Sequence, residues 1–382
     1  MSEHSRIEVP YVDLAAQQVP LRSELLAAVA RVLDHGHFIL GPEVEAFEEQ
    51  FAELCGTRFA VGVASGTDAL VLALRALDIA SGDEVITVPN SFVASAAAIA
   101  LVGARPVFVD VGDDMNIDPE AIGPAVTPRT RAILPVHLTG RPAAMQRVLE
   151  VAARHGLAVV EDCAQAVLAE LGGRRVGSFG AVGCFSLHPL KTLGAAGDAG
   201  VLTTDDEDLA NRFRLLRNIG LATRDDATVW SGNSRLDTLH AAMLLVKLQY
   251  LAKWTEARRQ NAAAYVEALT GASGLRLPVE KPGERAVYHT FVLRSEVRNE
   301  LRTHLRSAGI GTAIHYPVPI HLQSIGHTLG YGPGDFPVAE RQATEILSIP
   351  VHHNLTAAQR EFVVEGIRDF VPARAATRAG AR

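Results

Sequence analysis

Cysteines are scarce in this chain and follow no regular spacing. Its three cysteines, Cys55, Cys163 and Cys184, are far apart, and none belongs to a Cys-x-x-Cys pair. A disulfide framework, a zinc ribbon and a thioredoxin-type redox site are therefore excluded. Because free thiols persist in a reducing compartment, we expect a cytoplasmic protein.

Long hydrophobic runs are also missing. The longest apolar stretch, residues 92–104, is interrupted by Ser95 and Gly103. It is shorter than the roughly 20 residues that cross a bilayer. The initial segment MSEHSRIEVP lacks the basic and apolar regions of a secretory signal. We therefore expect a soluble protein with no membrane partner.

The chain has no excess of positive charge. It contains 36 basic and 43 acidic residues among 382, which gives a formal net charge of −7. A general nucleic-acid binder needs a basic face that neutralises phosphates, so we expect no nucleic-acid partner. Hydrophobic residues make up 48% of the chain, which is enough for a large folded core.

Two common nucleotide-binding motifs and a complete set of metal ligands are lacking. No G-x-x-x-x-G-K-[ST] motif occurs, and no G-x-G-x-x-G follows the first strand pattern. Histidines are frequent, as in the adjacent pair His352 and His353 and the series His315, His321 and His327. Neighbouring histidines on a strand point to opposite faces, and no acidic or cysteine partner completes a site. We expect no metal.

Short apolar runs alternate with helical patterns over the first two-thirds of the chain. This alternation requires crossover connections and favours a mostly parallel sheet that helices cover on both faces. The runs are continuously apolar, as in strands with both faces buried. We therefore predict an α/β fold with a large seven-stranded sheet, from strands at 59–63, 84–89, 106–110, 131–136, 157–162, 181–187 and 200–204.

The pattern changes after a long helical stretch over residues 237–270. Strand patterns at 287–294 and 311–316, with helical patterns at 297–307, 339–346 and 357–370, predict a smaller C-terminal α/β domain. We place the large domain at 1–250 and the small domain at 251–371. Residues 372–382 have three arginines and no core-forming residue, so we expect a disordered tail.

A small polar turn, Ser65-Gly66-Thr67, lies directly after the first strand and directly before a helix. Free backbone N–H groups and the positive end of the helix dipole suit a phosphate at such a position. The same turn is also an ordinary helix cap.

Two further candidates follow hydrophobic strands. Glu161 and Asp162 end the strand at 157–162, with Gln165 three residues on, and Lys191 lies on an irregular loop after the strand at 181–187. Asp162 also suits a helix cap, and Lys191 a surface charge. Together, a phosphate cradle, a strand-end acid and a nucleophilic lysine are what is needed to hold pyridoxal 5′-phosphate.

Nine longer segments form a pattern that covers most of the chain: GHFILGPEVEAFEEQFAE (36–53), ASGTDAL (64–70), GDEVITVPNSFVAS (82–95), GARPVFVDV (103–111), PVHLTGRPAAM (135–145), VVEDCAQA (159–166), GSFGAVGCFSLHPLKTLGAAGDAG (177–200), GNSRLDTLHAA (232–242) and HYPVPIHLQ (315–323). In this order and spacing, they resemble the DegT/DnrJ/EryC1/StrS sugar aminotransferases of fold type I. The chain departs from the family pattern at Thr139 and His240, among other positions.

The resemblance implies roles for individual residues of a pyridoxal 5′-phosphate enzyme. Lys191 and Asp162 would be catalytic, the first bonded to the cofactor and the second paired with its pyridine nitrogen. The other roles are Gln165 at the ring hydroxyl, Phe92 on the ring face, Gly66, Thr67 and Ser186 at the phosphate, Asn233 at the phosphate from the neighbouring subunit, and His315 and Tyr316 at the substrate.

The resemblance also implies a homodimer with shared active sites. Its expected reaction transfers an amino group from glutamate or glutamine to a ketosugar, most simply one linked to a nucleotide diphosphate. Three alternatives stay open: an aminotransferase of a ketocyclitol, a pyridoxal-phosphate-dependent sugar dehydratase, and a non-catalytic pathway regulator on the same fold. The dehydratase branch replaces the cofactor-binding lysine with histidine, so Lys191 argues against it.

Overall fold

The structure is a computed structural model that describes residues 8–379, with side chains to residue 370. Its α-helices are α1 (Leu14–Gln18), α2 (Arg22–His35), α3 (Pro42–Cys55), α4 (Gly66–Ala76), α5 (Ala94–Leu101), α6 (Pro119–Ala125), α7 (Met145–His155), α8 (Glu207–Arg217), α9 (Thr238–Leu269), α10 (Arg298–Ser307), α11 (Pro337–Glu345) and α12 (Ala357–Ala379).

The strands are β1 (Phe59–Val63), β2 (Glu84–Thr87), β3 (Arg105–Phe108), β4 (Thr130–Ile133), β5 (Ala158–Asp162), β6 (Glu170–Leu171), β7 (Arg174–Arg175), β8 (Val182–Ser186), β9 (Gly200–Thr204), β10 (Leu221–Thr223), β11 (Asp226–Ala227), β12 (Glu284–Arg285), β13 (Phe291–Arg294) and β14 (Ile346–Ile349). None of the helices in the described part of the chain is both long and apolar enough to cross a membrane.

The predicted seven-stranded sheet is confirmed, in the order β1-β9-β8-β5-β4-β2-β3. Every neighbouring pair is parallel except the two pairs that β9 makes, with β1 and with β8. Strands β2 and β9 are buried at every residue, as expected for strands that helices cover on both faces. The carboxyl ends of the six parallel strands therefore meet at one edge.

The reversed strand β9 starts at this same edge, at Gly200. A Cβ atom on Gly200 would lie 2.3 Å from the carbonyl oxygen of Ser65, so only glycine lets β9 approach the turn after β1. The chain thereby brings the start of β9 against the start of α4.

A second hydrophobic core lies in the C-terminal part and packs β13 and β14 against the second half of α9, with α10 and α12. The predicted strand at 311–316 is wrong, because that segment meets β14 only through the single bridge between Ala313 and Ser348. The strand that pairs with β13 is β14, directly after α11. Val9, near the start of the chain, also packs into this core.

Helix α9 confirms the predicted long helix and runs without a break through residue 250. The division into domains at 1–250 and 251–371 stays a proposal, because this boundary falls inside the helix. For the predicted tail at 372–382, the side chains and residues 380–382 lie outside the described part, so its disorder stays a prediction.

Glu161 and Asp162, at the end of β5, point to opposite faces of the sheet, because successive strand residues alternate. Glu161 is fully buried and accepts hydrogen bonds from the backbone N–H groups of Gly177, Phe179 and Gly180 at 2.7–2.9 Å. It also pairs with His137 at 3.0 Å. The Nδ1 atom of His137 accepts from the N–H of Ala143, so its Nε2 carries the proton and donates to Glu161.

We predict that Glu161→Gln lowers the free energy of unfolding by about 2 kcal/mol, because an amide nitrogen cannot accept and leaves buried donors without a partner. Urea unfolding of the variant and of Glu150→Gln measures the effect. Glu150 is exposed on α7, so its variant should match the unchanged protein. Equal stability of both variants would contradict the role given to Glu161.

Candidate functional site

The turn at the start of α4 supplies one wall of the candidate site. Ser65 caps the helix, because its Oγ accepts from the N–H of Asp68 at 3.0 Å. A Cβ atom on Gly66 would lie 2.6 Å from the Cβ of Ser186, so the turn rests against the end of β8. The first N–H groups of a helix have no partner inside it, so those of Gly66 and Thr67 suit an anion.

The carboxylate of Asp162 lies at the centre of this edge and is 4% exposed. Its Oδ2 accepts from the hydroxyl of Ser95 at 2.7 Å, and Ser95 in turn contacts Ser91 at 2.8 Å. Its Oδ1 accepts from the N–H of Ala164 at 3.1 Å. No helix begins among the described residues 163–169, so the helix-cap interpretation of Asp162 is wrong.

Lys191 lies on the loop after β8, with its backbone N–H bonded to the carbonyl of His188 at 2.8 Å. Burial lowers the pKa of its amine from 10.5 to about 8, and the negative charge of Asp162 partly opposes this shift. Lys191 is only partly exposed, which distinguishes it from a fully solvated surface charge. At pH 7.4 about one fifth of an amine with this pKa is neutral, against about a thousandth at the usual pKa of 10.5, so the nucleophilic form is much more available.

The C-terminal part of the chain closes the site from the other side. The hydroxyl of Tyr316 accepts from Nε2 of Gln165 at 3.3 Å, and Oε1 of Gln165 accepts from the N–H of Thr139 at 2.7 Å. The rings of Tyr316 and Phe92 are 5.8 Å apart, and Phe92 is 56% exposed. Burial, together with the charge of Asp162, raises the pKa of Tyr316 to about 12.

His315 is held by a hydrogen bond of 2.9 Å between its Nδ1 and the hydroxyl of Ser348. Burial and the charge of Lys191 lower its pKa to about 4, so its ring is neutral at physiological pH. The sequence analysis did not single out His289. Burial, and after it the charge of Lys191, holds the pKa of His289 well below 6.5. Both histidines therefore face the lysine as neutral groups.

Asn233 lies apart from the other candidate residues. It is exposed on the segment before α9, where it bridges to Asn218, and its side-chain oxygen meets the N–H of Arg235 at 3.5 Å. The structure thus brings together Gly66, Thr67, Phe92, Asp162, Gln165, Ser186, Lys191, His315 and Tyr316, but places Asn233 outside this group.

Two groups at the site were missed by the sequence analysis. The sequence analysis gave Ser95 no role at the site, yet it is buried and donates to Asp162. Ser91 lies before α5, and the chain turns between the two serines, with the N–H of Ser95 bonded to the carbonyl of Phe92, so helical periodicity alone does not predict their contact. His289 has no local sequence signal, because its position depends on a distant segment.

One cluster of metal-ligand types occurs among the described residues: His137, Glu161 and Cys163. The histidine and the carboxylate already make the buried hydrogen bonds described above. The thiol of Cys163 is kept protonated, because burial raises its pKa well above the usual value. This arrangement is that of a structural network.

Comparisons with known proteins place the whole chain among relatives. Residues 20–368 match the family described as the DegT/DnrJ/EryC1/StrS aminotransferase family. The chain is 46% identical to dTDP-3-amino-3,4,6-trideoxy-alpha-D-glucose transaminase of Streptomyces venezuelae, over 95% of this chain and 96% of that protein. It is 45% identical to the erythromycin biosynthesis sensory transduction protein EryC1 of Saccharopolyspora erythraea, over 95% and 99%.

A solved structure, S. venezuelae DesV in complex with a ketimine intermediate, superimposes with a TM-score of 0.93. It is 46% identical to this chain, and the match covers 95% of this chain and 98% of the DesV chain.

We predict that Lys191→Met stabilises the cofactor-free protein at neutral pH by about 1–3 kcal/mol, because the folded state no longer buries a charged amine. Wild-type stability should rise as the pH increases from about 8 towards 10.5, since the unfolded state then binds more protons. The advantage of the variant should shrink over the same window.

Urea unfolding of the two proteins across this pH range checks the prediction. Lys253 is exposed on α9, so Lys253→Met is the matched control and should show no such pH dependence. If Lys191→Met were less stable than the wild type at every pH, this would contradict the interpretation that the buried charged amine destabilises the folded state.

Proposed function

We propose that this chain, which belongs to the DegT/DnrJ/EryC1/StrS aminotransferase family, transfers an amino group from glutamate or glutamine to a nucleotide-linked ketosugar. The observation that carries the proposal is the placement of the Lys191 amine, with its pKa lowered to about 8, within reach of the charge of the buried Asp162. The dTDP-sugar transaminase that is 46% identical supports the substrate class.

The side chains of the site fit pyridoxal 5′-phosphate, the cofactor of this family. The buried carboxylate suits the ring nitrogen of the cofactor, the partly desolvated amine suits its aldehyde, and the helix start against Ser186 suits its phosphate. We propose that Gly66, Thr67 and Ser186 hold its phosphate, Asp162 its ring nitrogen, Gln165 its ring hydroxyl and Phe92 its ring face, and that Lys191 binds it covalently.

When bound, pyridoxal 5′-phosphate supplies an electron-withdrawing pyridinium ring that stabilises negative charge on a substrate carbon. Asp162 keeps the ring nitrogen protonated through a charge-assisted hydrogen bond. Ser95 and the N–H of Ala164 fix that carboxylate in place. The Nζ of Lys191 takes a proton from the α-carbon of the donor and delivers one to the sugar carbon that receives the amino group.

His315 and Tyr316 line the side from which substrates arrive in this proposal. Both side chains are uncharged at neutral pH, because burial lowers the pKa of the histidine and raises that of the tyrosine. Uncharged hydrogen-bonding groups suit the hydroxyl groups of a sugar. Since two half-reactions use the same lysine in turn, we expect ping-pong kinetics.

We further propose a homodimer in which Asn233 reaches the phosphate site of the neighbouring subunit. Asn233 is exposed, and Trp230 beside it is 94% exposed, as are large parts of Phe38 and Ile39. An exposed aromatic and aliphatic surface of this kind favours a protein interface. Three free, buried thiols support the proposed cytoplasmic location.

A regulatory role is the second candidate function, because one relative is named a sensory transduction protein. The presence of Lys191, Asp162, Gln165 and Ser186 together argues for turnover, since a regulator without chemistry has no need of the full set. A ketocyclitol remains the alternative acceptor. Conversion of a nucleotide-linked ketosugar to its amine, followed by mass spectrometry, decides between these functions.

We predict that Asp162→Asn leaves the protein folded but slows each half-reaction by about a hundredfold or more, a loss of about 3 kcal/mol of carbanion stabilisation. The asparagine oxygen can still accept from Ser95 or Ala164, but it lacks the negative charge. Single-turnover absorbance changes of the cofactor, recorded beside a thermal melt, measure the effect.

Asp206→Asn is the control for this variant. Asp206 caps α8, and asparagine caps a helix about as well as aspartate, so this change should alter neither rate nor melting temperature. Normal turnover in Asp162→Asn would remove Asp162 from the mechanism.

We predict that a Lys191→Ala chain mixed with an Asn233→Ala chain regains about a quarter of wild-type activity, because half of randomly paired dimers are mixed and one of their two sites is intact. Each variant alone should be nearly inactive. As a control, wild-type chain mixed with the double variant should gain nothing beyond its own homodimers. No recovery in verified heterodimers would show that Asn233 does not act across the interface.

A further inference from the structure

A cavity of about 280 Å³ lies beside the loop after β8 that carries Lys191. Its wall includes Leu190, which is the residue before Lys191. It also includes His289 and His315, whose pKa values are lowered mainly by burial and further by the charge of Lys191. The cavity is therefore close to the reacting amine. None of the residues that line it is acidic: Tyr11, Val12, Leu190, Arg258, His289, Ala313, His315, Val351 and His352.

Arg258 places a buried guanidinium in this wall. Its side chain comes from the middle of α9, and the residue is 3% exposed. One nitrogen, Nη1, donates to the backbone carbonyls of Tyr288 and His289, each at 3.2 Å. Among the described residues, Nε of Arg258 has no hydrogen-bond acceptor, and neither does Nδ1 of His289.

This cation also has no counter-ion among the described residues, because no carboxylate forms an ion pair with it. Burial lowers the pKa of Arg258 to about 10, so it stays protonated at physiological pH. A buried charge without a partner is costly, and bound ligands are one source of the missing negative charge. A guanidinium binds a carboxylate with two parallel hydrogen bonds, which makes a carboxylate the best-matched anion.

We propose that Arg258 binds the α-carboxylate of the amino-acid donor in this cavity, an inference that rests on the proposed transaminase function. His289 lies beside it and offers a second polar group to the same carboxylate. In this binding mode the donor's amino group would extend towards Lys191, whose charge also acts on His289 and His315 in the same wall. Arg258 is thereby a specificity-determining residue for the donor half-reaction alone.

The size of the cavity favours the donor over the sugar nucleotide. Drug-sized and cofactor-sized ligands occupy pockets of about 300–1,000 Å³, so a cavity of about 280 Å³ suits a small amino acid. A nucleotide-linked sugar, with its base, two phosphates and two sugar rings, exceeds this space. The acceptor must therefore approach from another side of the site.

The test uses the holoenzyme and glutarate, which has carboxylates but no amino group and cannot react. We expect calorimetric titration to show that glutarate binds to the wild-type protein. We expect Arg258→Lys to weaken this binding by about tenfold to a hundredfold, because lysine keeps the charge but cannot make two parallel hydrogen bonds to one carboxylate. The matched control is Arg259→Lys. Arg259 is already paired with Glu280, so its variant should bind glutarate normally.

The two half-reactions provide the second readout. In Arg258→Lys, kcat/KM for glutamate should fall by about tenfold to a hundredfold, while the amine-loaded enzyme should convert the ketosugar at a rate within about twofold of wild type. Equal losses in both half-reactions, or unchanged glutarate binding, would overturn the proposal. If Arg258→Lys does not fold, Arg258→Gln replaces it, and failure of both shows that Arg258 is structural and also overturns the proposal.

These outcomes separate the inference from the function on which it rests. A wild-type protein that aminates a ketosugar, but whose glutarate binding does not depend on Arg258, contradicts the donor site alone. A wild-type protein that aminates no ketosugar or ketocyclitol contradicts the proposed function, whatever the titration shows.

Discussion

The candidate site depends on one pairing, the parallel alignment of β5 and β8. Because both strands run in the same direction and end together, Asp162, Ser186 and the loop that carries Lys191 meet at one edge of the sheet. Gly200 then lets the reversed strand β9 lie against the turn that starts α4. Without this convergence the amine of Lys191 would be solvated, and nothing would lower its pKa. The chemistry therefore follows from strand direction as much as from the identity of the side chains.

The residues at strand ends were the ones that could be predicted from sequence. Gly66, Asp162 and Lys191 each follow a short hydrophobic strand closely, and the rule that ligands bind at the carboxyl edge of a parallel sheet then brings them together. The roles of Phe92, Asn233 and His315 came only from the family resemblance. Phe92 has no local pattern that separates a cofactor-facing ring from a core ring, and its 56% exposure is visible only in the fold.

Features that depend on distant partners could not be predicted. The segment at 311–316 has the β-branched pattern of a strand, but β14 already pairs with β13 and leaves it a single bridge. Strand β14 follows α11 with no glycine or proline between them, so hydrophobic periodicity alone predicts a helix at 339–346 and no separate strand after it. The significance of Arg258 was equally hidden. A sequence shows that an arginine lies on a helix, but it does not show that one of its nitrogens lacks an acceptor in the fold.

Helix α9 has a mechanical consequence for substrate entry. Its 32 residues form a rod about 48 Å long that packs first in the core beside the sheet and then in the C-terminal core. Because the helix is continuous through residue 250, the backbone there is not a loop or an element end of the kind that forms hinges. In the proposed donor site, Arg258 is therefore carried on a continuous helix, so donor binding does not have to order a flexible segment.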